Sequence, residues 1–520
     1  MNKPVSRILL VVTVLTIIGA LGVVFALRQT RGTFSETWEA GVRTIRVGPG
    51  GNLQAALDRA QYGDVIVLDA GVVYKGGFVL PKKNGTGEIV IQSSSASQLP
   101  EGKRVKPAQS KLFAKLQTSQ AEPVVKTAPG AQGYRFVGIE FSPTDEKVKV
   151  YDLISLGGGR REQKTLDSVP KNIFIDRCYV HGFDTQDVQR GVSLNSAHTT
   201  ISNSYISNVH GVGYDSQAIG GWNGPGPFQI INNHLEAAGE NIMFGGADPA
   251  SEEMIPSNIL IRDNYFFKPK SWKVGDPSYA GKHWTVKNLL ELKNAKDVTI
   301  DRNYFENTWT DGQAGIPILF TVRNQEGTAP WSIVQDVQFT NNIVEGGEGG
   351  INFLGTDNEK PSKVSSVALI ENNLFFDLRG IFLTMNGFHK VSMIHNTHIQ
   401  TGNIMILYGK IAEDFVYRDN LTIRHPKGYG VFGDGIGEGS VALQKFTPRV
   451  EFRNNVLAGA DRSIYPKDNF YPSIEKVGFV NFAQGDYRLN ATSSFRKSAS
   501  DGTPVGADWD KLNSNAKTAE

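Results

Sequence analysis

One short phrase recurs down the 520-residue chain, and its spacing leaves few folds open. It reads Asn258-Ile259-Leu260-Ile261-Arg262-Asp263-Asn264-Tyr265-Phe266, then Asp297-Val298-Thr299-Ile300-Asp301-Arg302-Asn303-Tyr304-Phe305. Each copy is a β-branched run, two polar residues, an Asn and an apolar pair, a pattern of two short strands around a sharp bend. Aligned on the Asn, the copies fall at Cys178, Ser204, Asn233, Asn264, Asn303, Asn342, Asn373, Asn396, Asn420 and Asn455. The intervals are 26, 29, 31, 39, 39, 31, 23, 24 and 35 residues. Such spacing describes a coil of fixed circumference carrying loop insertions. One strand-bend-strand unit per interval predicts a parallel β-helix rather than a propeller, with each rung pairing to the next.

The Asn has a physical task in this scheme. A bend takes backbone groups out of strand geometry while keeping them buried, so they need partners. An Asn side chain supplies both donor and acceptor, and it tolerates a left-handed backbone. The ladder is therefore read as structural, with Cys178 as a small buried apolar member of it. The pattern resembles the right-handed parallel β-helix proteins of the pectate-lyase-like superfamily over residues 44 to 510. That resemblance implies an all-β solenoid with an N-terminal helical cap, and it leaves the chemistry open because such folds host several functions.

The rest of the chain divides around this coil. Residues 1–31 hold the uncharged run Ile8–Leu27, flanked by Lys3, Arg7, Arg28 and Arg31. Twenty largely apolar residues span a bilayer, which predicts a membrane anchor. Val24-Phe25-Ala26 offers a cleavage site, so a long signal peptide is the alternative. Both place the coil outside the cytoplasm, membrane-held or secreted. Residues 32–61 are a linker and cap, with a strand at Ile45–Val47 and a short helix from Leu53 N-capped by Asn52. Its apolar face, Leu53, Ala56, Leu57 and Ala60, would plug the open end of the coil. Residues 62–480 form the coil; 481–520 close it, and the polar end from Asn513 is expected to be disordered. With 54 basic against 52 acidic residues the net charge is +2, which excludes a nucleic-acid binder of the basic type. A lone cysteine excludes an internal disulfide. A monomer is expected.

Candidate chemistry gathers between Val180 and Asn342, where the two 39-residue intervals also lie. Insertions on a solenoid tend to build one face. Trp222, Trp284 and Trp309 in this region suit stacking on sugar rings, or else packing of loops onto the coil. His210, which follows a strand end, and Lys287 are further candidate substrate contacts. In Lys287-Asn288-Leu289-Leu290-Glu291-Leu292-Lys293-Asn294, strand alternation puts Lys287, Glu291 and Lys293 on one face. If rungs stack in register, Arg323 on the next rung lies near Lys293 or Glu291. Removing the proton α to a uronate carboxylate requires charge neutralisation and a base, and an activated Lys can be that base.

This arrangement is similar to the alginate lyase and chondroitinase B family of β-helix enzymes. The resemblance implies β-elimination of an acidic polysaccharide, with Lys293 as base, Arg323 as acid and Ca²⁺ bound by Glu291 together with Glu236 and Glu240, with Asn264 as a possible helper. The family's acidic pair and its Arg-His-Gly phrase are missing here, since Asn324-Gln325 follows Arg323. A second reading uses Asp215, Glu236, Glu240 and Asp248 as the carboxylates of a glycoside hydrolase. A third is a non-catalytic glycan-binding or surface structural protein.

Overall fold

The computed structural model describes residues 34–39, 41–513 and 516–517. It is a parallel β-helix. One sheet of 15 strands takes a single strand from each rung together with one antiparallel edge strand, and a second sheet of 24 strands wraps the other two faces. The two faces merge because Ile343–Leu354 and Leu374–Asn386 run unbroken through the corner between them. The membrane-anchor expectation for Ile8–Leu27 lies outside the described residues; among those described, no helix is long and apolar enough to cross a membrane.

Strand alternation builds the interior. On the 15-stranded face, Ile45, Ile66, Ile91, Phe136, Ile175, Ile201, Ile230, Ile261, Ile300, Phe339, Ile370, Met393, Tyr417 and Phe452 stand in register, one per rung. All are buried. Each rung covers the apolar surface of the one before, so no rung is stable alone. At the first turn the helix Leu53–Arg59 caps the coil, Asn52 accepting from Ala55 N–H at 2.9 Å and Leu53, Ala56 and Leu57 facing inward. A strand at Phe34–Glu39 pairs antiparallel with Val42–Val47 and covers the sheet's exposed edge.

The Asn ladder runs along one corner and continues one rung further, to Asn469. Each ladder Oδ1, from Asn233 to Asn469, accepts the backbone N–H of the ladder residue one rung earlier, at 2.8–3.0 Å. Each Nδ2 donates to a carbonyl of the earlier rung, as Asn303 does to Ile261 O at 2.9 Å. One feature differs from expectation. The left-handed position is the residue before the ladder Asn, not the Asn itself. Arg177, Asn203, Asn232, Asp263, Arg302, Asn341, Asn372, His395, Asp419 and Asn454 have φ between 51 and 60°. That residue makes the corner, which frees the ladder Asn to aim its amide along the stack. Asn264 is thereby fully engaged, so its amide is unavailable to a metal.

The C-terminal segment is ordered further than its polarity suggests. It returns along the outside of the coil: Gly506 N–H bonds Asp419 O, Asp508 N–H bonds Asn372 Oδ1, and Asn513 reaches Asp263. At its far end Arg104 holds Ala516 O at 2.9 Å, and Lys517 pairs with Glu306 and Glu345. Beneath this strap lie Tyr265, Tyr304, Ile343 and Leu374.

Candidate functional site

Strands Val188–Leu194, Gln217–Gly221, Glu240–Phe244, Leu290–Leu292 and Ile318–Thr321 stack on one face. Val192, Ile219, Ile242, Leu290 and Ile318 point inward in register; Ser193, Gly220, Met243, Glu291 and Leu319 alternate with them on the outside. The sequence Leu290-Glu291-Leu292-Lys293 thus turns Glu291 and Lys293 outward together. Arg323 follows on the next rung, its N–H donating to Lys293 O at 2.9 Å. Lys293 Nζ lies 3.7 Å from Glu291 Oε1, and an Arg323 guanidinium nitrogen lies 3.5 Å from Asp357 Oδ1. Exposure grades across the group: the Glu291 side chain is 3% exposed, Lys293 13% and Arg323 35%. Lys293 and Arg323 meet solvent, while Glu291 lies beneath them.

A chain of charges runs from this pair toward earlier rungs. Asn288 Nδ2 donates to Glu291 Oε2 at 3.1 Å, and Thr321 Oγ1 to Glu291 Oε1 at 3.3 Å. Glu240 receives Gln217 Nε2 at 2.7 Å, and Lys287 Nζ lies 3.8 Å away, ion-paired with Asp215. Glu240 is sealed from solvent, and burial, with Asp215 and Glu291 adding to it, pushes its carboxyl up to about 7. Burial works to lower the Lys287 pKa, but Glu240 and Asp215 outweigh it and hold the ammonium above its ordinary range. Lys287 is therefore charged and screened, which makes it a structural counter-ion more than a free substrate ligand.

Lys268 was not singled out by sequence reasoning. It follows the apolar strand Tyr265–Phe267 and is wholly buried. Its Nζ donates to Ala237 O at 2.7 Å, Ala238 O at 3.0 Å, Gly239 O at 2.7 Å and Asn241 Oδ1 at 3.0 Å. Burial pulls its pKa down to about 7, while four oxygens within bonding distance suit only an ammonium. The cage fixes the bend that delivers Glu240. A lysine ending an otherwise apolar strand was the only sequence signal.

Several expected placements do not hold. Trp284 and Trp309 are buried with Trp272, Ala238 and Val286, so they pack loops onto the coil instead of edging a groove. His210 is buried against Trp284, ring centroids 3.7 Å apart, and burial lowers its pKa to about 3. It is a neutral packing residue, not a sugar contact. Trp222 alone of the three tryptophans is partly exposed. Asp248 is buried and accepts from Thr328 N–H and Oγ1, both at 2.7 Å, which pins two loops together.

The three glutamates proposed for calcium do not converge. Glu236 precedes the bend at Gly239, accepts Asn208 N–H at 3.1 Å and sits 3.5 Å from His234 Nε2. Lys287 and Lys293 occupy the approaches to Glu240 and Glu291. Among the described residues no group of three His, Cys, Asp or Glu is arranged to hold a metal ion. The donor set does not fit calcium. The hydrolase arrangement lacks an accessible pair of carboxylates: Glu240 and Asp248 are closed to solvent, Glu236 accepts the Asn208 N–H, and Asp215, the one partly exposed member, is ion-paired with Lys287.

Comparison with protein-family profiles and with curated proteins gives no match. Solved structures do match. The chain is similar to AlyGC, a PL6-family alginate lyase, at 12% identity and TM-score 0.52, over 91% of this chain and 58% of that one. It is also similar to the pectate lyase Pel9A, at 12% identity and TM-score 0.41, over 90% and 97%. A third likeness is to an alginate lyase from Paenibacillus sp. str. FPU-7, at 16% identity and TM-score 0.34, over 64% and 96%. The fold is that of the pectate-lyase-like β-helices. At these identities the likeness concerns architecture.

Proposed function

We propose that the chain is a polysaccharide lyase that cleaves an acidic, uronate-containing glycan by β-elimination. The observation that carries this reading is the placement of Lys293 and Arg323 on neighbouring rungs, bonded backbone to backbone, both reaching solvent above Glu291. In its neutral form the Lys293 amine takes the proton α to the uronate carboxylate. The electron pair released forms the ring double bond as the glycosidic C–O bond breaks. The departing oxygen takes a proton, which the newly formed Lys293 ammonium supplies. Arg323 stabilises the charge that develops on the carboxylate. A guanidinium keeps its proton throughout, so it suits this role better than that of acid. Neutralisation by Arg323 takes the place that a metal would otherwise fill. We further propose that the apolar run Ile8–Leu27 places the coil outside the cytoplasm, where such polymers are met.

The test is to incubate the protein with alginate, polygalacturonate and glycosaminoglycans and to follow ultraviolet absorbance. A lyase leaves an unsaturated end that absorbs; a hydrolase leaves a hydrated end that does not. New reducing ends without absorbance would replace this reading with hydrolysis. Binding without cleavage of any polymer would replace it with a glycan-binding role.

A further inference from the structure

Two rungs before Lys293, the same outer edge carries a basic, aromatic hollow that elimination does not use. Trp222, Gly245 and Lys293 each follow a strand of the site face. Gly245 N–H donates to Gly221 O, and Lys293 N–H to Phe244 O, both at 2.8 Å, so the three stand in one column on successive rungs. With rungs about 4.8 Å apart, Trp222 lies about 10 Å from Lys293 along the coil. A Cβ on Gly245, where φ is +106°, would lie 2.7 Å from Lys293 Cβ. Glycine keeps the floor between them open.

The loop 157–164 folds over this column. Buried amides fix it: Gln163 Nε2 donates to Asn195 O at 2.8 Å and Asn223 O at 2.6 Å, and Asn223 Nδ2 to Gly158 O and Gln163 O. The same Asn195 accepts Trp222 N–H at 2.9 Å. Between this loop and the pinned loop at Thr328 is a cavity of about 350 Å³ lined by Arg160, Arg161, Glu162, Trp222, Glu326 and Thr328. Lys164 joins Arg160 in an adjoining hollow of about 260 Å³.

The charges here are unusual for this chain. Arg43, Arg135, Arg262 and Arg424, like most of its arginines, stand against carboxylates. Arg160 donates to Thr328 Oγ1, and among the described residues neither it, Arg161 nor Lys164 forms an ion pair. Glu326 is engaged by Asp248 N–H, which leaves Glu162 as the one uncommitted acid. Arg190 lies 4.8 Å over the Trp222 ring. The partly exposed Trp222 edge beside guanidinium groups that no carboxylate neutralises matches a sugar ring carrying a carboxylate or sulfate.

We infer that Trp222, Arg160 and Arg161 form a distal subsite for a further acidic sugar of the chain that is cleaved at Lys293. This rests on the lyase reading for its place in the reaction, but the binding does not. The groove then selects an anionic polymer over a single disaccharide.

The experiment is native electrophoresis in gels cast with alginate, polygalacturonate or dextran. Wild type is compared with Arg160→Gln/Arg161→Gln, Trp222→Phe and Lys293→Ala. At least one acidic polymer should retard wild type and Lys293→Ala, and dextran should retard neither. The double Arg variant should lose most of that retardation at an unchanged melting temperature, since both side chains are exposed. Equal retardation of the double variant and wild type would overturn the subsite. So would retardation by dextran, no retardation by any acidic polymer, or equal retardation by single-stranded DNA. If retardation follows this pattern but nothing is cleaved, the subsite stands and the lyase reading falls. If the wild type cleaves and the double variant keeps its KM on polymer, the reverse holds.

Discussion

Replacing Asn303 with Leu tests the ladder in a single position, and the structure sets the size of the effect. Asn303 Oδ1 accepts Asn264 N–H at 2.9 Å and Asn264 Nδ2 at 3.0 Å, and Asn303 Nδ2 donates to Ile261 O at 2.9 Å. Leu has the same number and branching of side-chain heavy atoms, so no cavity opens. What changes is that a fully buried N–H at Asn264 loses its acceptor and the Ile261 carbonyl loses a donor. A buried group left unpaired costs about 1–3 kcal/mol. Two such groups, one of them a carbonyl with other contacts, give an expected loss of about 2–4 kcal/mol. Asn303→Ser is the control, because Ser204 already fills a ladder place, its Oγ accepting Cys178 N–H at 3.0 Å. Serine restores the acceptor for Asn264 N–H and should cost about 1 kcal/mol. Urea unfolding followed by circular dichroism reads both, as a shift in midpoint at constant slope. An unchanged midpoint for the Leu variant, or a Ser variant as weak as the Leu variant, would refute the claim that the acceptor is what matters.

Further outcomes follow from the same geometry. Glu240 holds its proton in the native state up to about pH 7, whereas the unfolded carboxyl releases it near 4.5. Its contribution is therefore complete below about pH 4.5 and is lost as pH rises through 7. Relative to Glu240→Gln, wild type should lose on the order of 3 kcal/mol across that window, at about 1.4 kcal/mol per pH unit; parallel stability–pH curves for the two proteins would count against it. Lys268→Met should destabilise by about 3 kcal/mol or more, because three carbonyls lose a cationic donor in a buried site; denaturant midpoints decide. Deleting residues 486–520 should uncover Tyr265, Tyr304, Ile343 and Leu374, together with Leu421 and Val456 beneath Phe495 and Val505, and raise binding of a hydrophobic dye several-fold. Chelation should leave cleavage intact, because the glutamates near Lys293 are already matched by lysines; loss of activity restored by calcium would reverse that expectation.

The ladder was legible because its hydrogen bonds join like to like, so the same residue must return on every rung. The left-handed corner before it was not, because residues as different as Arg177, Asp263 and His395 take that backbone. Alternation and period together placed Lys293 beside Arg323, since both are strand properties that survive stacking. Burial of Trp284, Trp309 and His210 depends on how long loops fold back over the coil, and local pattern carries no record of that. Glu236 and Glu240 are four residues apart in sequence, yet the bend at Gly239 sends them to different faces. The polar end from Asn513 looked disordered because the partners of Asn513, Ala516 and Lys517, which are Asp263, Arg104, Glu306 and Glu345, lie far back along the chain.

The most direct measurement of the central claim is turnover of Lys293→Ala and Arg323→Ala on whichever acidic polymer the wild type converts to an absorbing product. Arg323→Ala should melt within about 1 kcal/mol of wild type, because its side chain lies at the surface. Lys293→Ala should lose about 3 kcal/mol, because it leaves the buried Glu291 carboxylate without its cation, and is assayed well below its melting temperature. Each should also lower kcat by orders of magnitude, because the lost interaction belongs to the transition state. Full activity in both variants would contradict the assignment of the chemistry to this pair of rungs.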